Sequence, residues 1–132
     1  MVFDKIRVVE PGNCPLINHG HKNPHRVILI LTQSVFDNEV RLDFSTLRIV
    51  LSRHPEMAKV KQLDREVISA VSEPDYVLAG RHGENIAVRR IAAGFLRGGC
   101  LLVPYREGGE VCTVSAAKRE KPLGGRLILW KR

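Results

Sequence analysis

The chain has 132 residues, 44% of them hydrophobic, and carries a formal net charge of +7. That length supports one core and is short for two, and no apolar run approaches the roughly 18 residues needed to span a bilayer. The N-terminus, with Asp4, Glu10 and Pro11, lacks a signal-peptide layout, so a soluble cytoplasmic protein with no membrane partner is expected. The charge is unevenly placed. Residues 1–80 carry ten Lys or Arg and ten Asp or Glu, whereas residues 81–132 carry eleven against four. Such an excess attracts polyanions by counterion release and steering, which favours nucleic acid over an acidic small molecule as partner. Cys14, Cys100 and Cys112 show no C-x-x-C spacing and are read as reduced packing residues. A nucleophilic Cys112 is the alternative, with no basic group fixed beside it by sequence.

In chain order, residues 2–9 fit a short strand, ended by the turn-forming Pro11-Gly12-Asn13. Residues 14–24 lose periodicity and are expected as a surface loop. His19, His21 and His25 have no acidic or cysteine partner at ligand spacing, so they are read as loop histidines, with no metal or other cofactor expected. The run Val27-Ile28-Leu29-Ile30-Leu31 reads as a core strand covered on both faces. Over residues 38–51, Val40, Leu42 and Phe44 alternate as in a strand, while Leu47, Val50 and Leu51 repeat as in a helix. A strand followed by a helical turn is expected there.

From Arg53-His54-Pro55-Glu56-Met57 to Pro74-Asp75 the spacing predicts an amphipathic helix. Val60, Leu63, Val67 and Val71 form the stripe with Ile68 beside them, and Lys59, Lys61, Asp64, Arg65 and Glu66 fall elsewhere. Pro55 suits the first turn, Glu56 complements the positive N-terminus, and Pro74 stops the helix. His54 thus stands at its entrance. Beyond Asp75, strands are expected at residues 76–79, 86–92, 100–104, 111–116 and 126–130. Arg81-His82-Gly83-Glu84-Asn85, Gly98-Gly99, Glu107-Gly108-Gly109-Glu110 and Gly124-Gly125 separate them. The class is α+β: a helix followed by a small antiparallel β-sheet meander. Residues 1–132 are expected as a single domain, with 1–51 an N-terminal extension packed on the same core. Alternation through 111–116 puts Val111, Thr113 and Ser115 on one face, and Cys112 and Val114 on the other.

Taken in order, Arg53-His54-Pro55-Glu56-Met57, a helix, Glu73-Pro74-Asp75-Tyr76-Val77, an apolar strand and Val111-Cys112-Thr113-Val114 resemble the phage-type branch of the barnase, EndoU, colicin and RelE nuclease superfamily. The resemblance covers residues 52–116. It implies a metal-independent ribonuclease, with helices packed on a small antiparallel sheet whose open face binds RNA. It also matches His54 with the histidine ahead of the helix, and Thr113 with the threonine late in the sheet. Where that branch commonly carries an aromatic or bulky polar residue, this chain has Ile86-Ala87-Val88-Arg89-Arg90, which offers no platform for base stacking. Tyr105 and Trp130, the late aromatics, are read as core or edge packing.

Cleaving RNA without a metal needs a base for the 2'-hydroxyl proton, an acid for the leaving 5'-oxygen, and fixed cations for the phosphorane. His54, Thr113 and Arg90 are the expected catalytic set, with a helix-capping role as the alternative for His54. Arg81, Arg89, Ser115, Lys118, Arg119 and Lys121 are the expected nucleic-acid-binding residues. Arg89 and Arg90 are strand neighbours and point oppositely, so only one can share a face with Thr113. The expected function is an endoribonuclease that cleaves RNA by 2'-hydroxyl transesterification, with RNA as partner (DNA less likely) and a cognate protein inhibitor as a possible further partner. Two rivals stand beside it: a non-catalytic RNA- or DNA-binding module using the basic sheet, and a structural interaction protein with a basic C-terminal face. Oligomeric state is left open.

Overall fold

A computed structural model describes residues 7–9, 29–92, 94, 97–118 and 126–132, with side chains from residue 30 onward. Cys14 and the loop histidines lie outside these residues, as do Arg119, Lys121 and the Gly124-Gly125 turn. The class is α+β. Strands β1 (Arg7–Val9), β2 (Leu29–Gln33) and β3 (Glu39–Asp43) form an antiparallel sheet in that order. A second antiparallel sheet contains β4 (Tyr76–Ala79), β5 (Asn85–Arg90), β6 (Cys100–Tyr105), β7 (Ser115–Ala117) and β8 (Ile128–Lys131), in the spatial order β7-β6-β5-β4-β8. Helices α1 (Phe44–Arg53) and α2 (Leu63–Ser72) lie between the two sheets in sequence.

The expected strand at 27–31 corresponds to β2, which continues to Gln33 and, over its described side chains, is buried on one face only. Ile30 and Thr32 are buried, whereas Gln33 is exposed. The helical turn expected after β3 is a full ten-residue helix. The Asp43 carboxylate caps it by accepting from Ser45 N–H at 2.8 Å, which satisfies one of the orphan donors of the first turn. Leu47 and Val50 are buried, but Ile49 and Leu51 are exposed, which blurs its helical signature in sequence.

The expected helix from Pro55 onward divides. Pro55 disfavours helical backbone at the preceding residue, and His54 accordingly leaves α1 at φ −131° and ψ 73°. Residues Pro55–Lys59 form a single 3-10 turn, and Gln62 adopts left-handed backbone at φ 53° before α2 begins. The four-residue spacing of Leu63, Val67 and Val71 survives as the buried stripe of α2, while Val60 precedes the break. α2 ends at Ser72, two residues before Pro74. It packs on β2 from one sheet and on β5 and β6 from the other.

Residues 109–111 join the two sheets edge to edge. Arg41 N–H donates to Gly109 O and Val111 N–H donates to Arg41 O, both at 2.9 Å, so 109–111 runs parallel to β3. The same segment pairs with β6 through Tyr105 and Val111. One apolar cluster therefore contains Ile30, Val40, Leu42, Leu47 and Val50 from the first half, and Val67, Val71, Val77, Val103 and Val114 from the second. On the opposite face of the five-stranded sheet, Leu78, Ile86, Val88 and Cys100 form a smaller buried cluster with Tyr76 and Leu102 beside them. That face is apolar rather than the open basic surface the resemblance implies.

The expected strand at 111–116 is interrupted, and the cause is Pro104. Its carbonyl accepts from Cys112 N–H at 2.8 Å, but its nitrogen has no hydrogen to return, so the reciprocal pair is missing. Tyr105 pairs with Val111, yet Leu102 pairs with Ser115, so the second strand carries one extra residue across this point. One inserted residue shifts the alternation of side chains. Val114 is buried while Cys112 and Thr113 are both exposed, which breaks the expected grouping of Thr113 with Ser115.

Beside this bulge, the Tyr105 hydroxyl lies 3.4 Å from Glu107 Oε1, which also accepts from Ser34 Oγ. Burial pushes the Tyr105 phenol up to about 12, with the Glu107 carboxylate adding to the rise and hydrogen bonding from Asn85 opposing it. In the unfolded chain the phenol ionises near 10. A phenol held neutral only in the folded state stabilises fully below pH 10, and that contribution is lost as pH rises through about 12. Urea titrations between pH 9 and 12 should show the wild type losing stability faster than Tyr105→Phe. Parallel pH profiles would mean that the phenol is not held in its neutral form.

Candidate functional site

The register of the five-stranded sheet decides which basic residues come together. Arg90 of β5 is level with Cys100 of β6, and Cys100 is level with Ala117 of β7, one residue before Lys118. On the other side, Tyr76 of β4 is level with Lys131 of β8, and Arg132 N–H donates to Asp75 O at 2.9 Å. Arg97 sits in the connection from β5 to β6 at the same end, where Ile91 N–H donates to Gly99 O. Arg90, Arg97, Lys118, Lys131 and Arg132 thus form one row across this end of the sheet, and all five are exposed. Lys131 lies on the face of Tyr76 and Val88, and Arg90 on the face of Cys100.

Among the described residues, the acidic residues near the row are Asp75 and Glu73. Asp75 Oδ2 accepts from Arg90 N–H at 2.6 Å, and its other oxygen lies 4.0 Å from the Arg90 guanidinium. Among the described residues, no carboxylate forms an ion pair with Arg97, Lys118, Lys131 or Arg132. The opposite end of the sheet mixes both signs, with Glu110 also 4.0 Å from the Arg41 guanidinium. Arg81, Arg106 and Arg126 stand there with Glu84, Glu107 and Glu110. Arg106 Nη1 lies 3.4 Å from His82 O, and Glu84 accepts from His82 N–H, a bond that lowers the Glu84 carboxyl pKa.

Arg89 has a different role from its neighbour. It faces α2, and its Nη1 donates to Ser69 O at 3.2 Å and to Glu73 O at 3.1 Å. These are carbonyls at the C-terminal end of α2, where the helix leaves acceptors unsatisfied and carries partial negative charge. The expected phosphate-binding Arg89 is therefore a helix-capping residue. No local signal announces this, because its partners lie 16 and 20 residues earlier.

The expected catalytic residues are held by different elements. His54 makes its contacts within residues 50–57: its N–H donates to Val50 O at 2.7 Å, its carbonyl accepts from Met57 N–H at 2.9 Å, and Nδ1 lies 3.5 Å from Glu56 Oε1. These are the contacts of a residue that joins α1 to the 3-10 turn. Thr113 lies on the interrupted stretch beside Pro104, and it shares no hydrogen bond with His54 among the described residues. Two strand spacings and about three residues of rise separate Thr113 from Arg90, roughly 14 Å between backbones. Ser115 is half-buried on β7, and Arg81 occupies the turn at the far end from Lys118.

Other polar or concave features carry less chemistry. Ser34 and Tyr105, which bond Glu107, are buried, and Glu107 itself is half-buried. A groove of about 480 Å³ between α1 and α2 is lined by Phe44, Leu47, Leu51 and Leu63, with Arg48 and Asp64 at its rim. Cys112 is exposed and not the packing residue expected, yet partial burial of its sulfur raises the thiol pKa and disfavours the thiolate. Cys100 is buried. Among the described residues, no group of three or more His, Cys, Asp or Glu side chains is gathered as metal ligands, and no helix is long and apolar enough to cross a membrane. No family model, curated protein or solved structure matches the chain.

Replacing Arg89 with Met keeps an extended stem and removes both bonds to α2. A charged donor at a helix C-terminus contributes about 1–2 kcal/mol, so Arg89→Met should lower stability by that amount in urea unfolding. Lys131→Met, at an exposed site, should stay within about 0.5 kcal/mol of wild type. Unchanged stability in Arg89→Met would remove its capping role.

Proposed function

We propose that this chain is an RNA-binding module whose interface is the basic end of the five-stranded sheet. The observation that carries the reading is the convergence of Arg90, Arg97, Lys118, Lys131 and Arg132 with two acidic residues near them among the described residues, while at the opposite end Arg81, Arg106 and Arg126 stand with Glu84, Glu107 and Glu110. Long cationic side chains on a rigid sheet end attract phosphates by charge and release their condensed counterions. The choice of RNA over DNA rests on the resemblance of residues 52–116 to the barnase, EndoU, colicin and RelE nucleases. Cleavage is not part of this proposal. His54, Thr113 and Arg90 belong to different elements, and among the described residues no hydrogen bond joins His54 with Thr113, whereas general acid–base catalysis needs its groups within hydrogen-bond reach of the reacting atoms.

Two double charge reversals test the reading, because they change net charge equally. Lys118→Glu with Lys131→Glu should weaken binding of an RNA oligonucleotide by about tenfold or more at low salt, as measured by fluorescence anisotropy. Arg81→Glu with Arg106→Glu should weaken it by no more than about threefold, since those residues stand among three carboxylates. Circular dichroism confirms that each variant is folded. Equal losses would show that only total charge matters and would remove the interface. RNA cleavage that disappears in folded His54→Ala would return the endoribonuclease reading instead.

A further inference from the structure

We infer that the basic row takes a single extended strand of nucleic acid, held by a few consecutive phosphates and without base selection, and not a duplex. This deepens the RNA-binding reading and rests on it. The first ground is length. The row runs from Arg132 beyond β8 to Lys118 beyond β7, across all five strands. Four spacings of about 4.8 Å make the row about 19 Å long, enough for three to five nucleotides of an extended strand.

Shape is the second ground. Neighbouring strands are rotated by roughly 20–25°, so direction changes by about 80–100° from β8 to β7. A duplex is stiff over some 150 base pairs and stays straight over this distance, so it can meet only neighbouring cations in the row. A single strand bends at each nucleotide and can follow the whole row. Its phosphates can also reach Arg97, which projects from the connection between the two strands that supply Arg90 and Cys100.

Chemistry is the third ground. The exposed side chains of the row are cations, which fit phosphate oxygens. Among the described residues no exposed aromatic side chain stands beside them to stack a base: Tyr76 is half-buried against the apolar cluster, and Trp130 is half-buried against the main core. Asn85, whose amide could read a base edge, is level with Tyr105 at the opposite end of the sheet. The row therefore grips the backbone of a strand and leaves its bases outside.

The test is a length series of oligouridylates of 2, 4, 6, 8 and 12 nucleotides, with oligoadenylates of the same lengths and a 12-base-pair RNA duplex. Binding to the full chain is measured by anisotropy in low salt, in wild type and in Lys118→Glu with Lys131→Glu. Affinity should climb to about five nucleotides and then rise only with the number of registers available. Uridylates and adenylates should agree within about threefold, and the duplex should bind about tenfold more weakly per site. Duplex binding equal to or tighter than single-strand binding, abolished by the double reversal, would overturn the inference while leaving RNA binding at the row intact. So would a steep climb in affinity beyond eight nucleotides. Binding that is absent, or insensitive to the double reversal, would overturn both.

Discussion

Two hydrogen bonds, from Arg41 N–H to Gly109 O and from Val111 N–H to Arg41 O, hold the architecture together. They make the edge of the three-stranded sheet continuous with the segment that leaves β6. Neither sheet alone offers α2 enough surface, but together they let Val67, Ile68 and Val71 bury between them. The joint also constrains the path of the chain from residue 109 to β7. A segment tied to β3 at 109–111 returns to β6 beside Pro104, where the missing N–H forces an extra residue into the ladder. That extra residue exposes Thr113, and the restored ladder at Ser115–Ala117 carries Lys118 to the end of the sheet beside Arg90.

The same end illustrates how a strand divides two equal charges. Arg89 and Arg90 are chemically identical and adjacent, but a strand sends alternate side chains to opposite faces. Arg89 meets the end of α2 and donates to the carbonyls of Ser69 and Glu73, the first of which also accepts from Glu73 N–H. Arg90 meets Asp75 and the solvent. One therefore fixes the helix against the sheet and the other adds to the surface row. Because α2 covers one face and an apolar cluster occupies the other, the sheet's end, more than either face, presents its charge.

Much of this fold is legible in the sequence. β4, β5 and β6, the turns at 81–84 and 107–110, and the concentration of charge after residue 80 all arise from local pattern. Local pattern does not reveal the break at Gln62, because the periodicity of Val60 and Leu63 continues across a residue with no strong left-handed preference. Nor does it reveal the fate of Thr113, which depends on Pro104 nine residues earlier, or the helix-capping role of Arg89. Of the expected contact residues, Lys118 joins the row, while Arg81 lies at the opposite end and Ser115 is half-buried. Arg97, Lys131 and Arg132 come into the row only through cross-strand register, which no single segment encodes. Their excess charge is visible in the sequence, but their shared place is not.

The central claim is that binding is localised at one end of one sheet. Backbone amide shifts recorded by NMR during titration with a short oligouridylate test it most directly, since they need no substitution and report on every assigned amide. The largest changes should fall at residues 90, 97–100, 117–118 and 131–132, with residues 79–84 and 106–110 nearly still. Largest changes at the opposite turns or along α1, or small changes spread evenly over all exposed lysines and arginines, would contradict it.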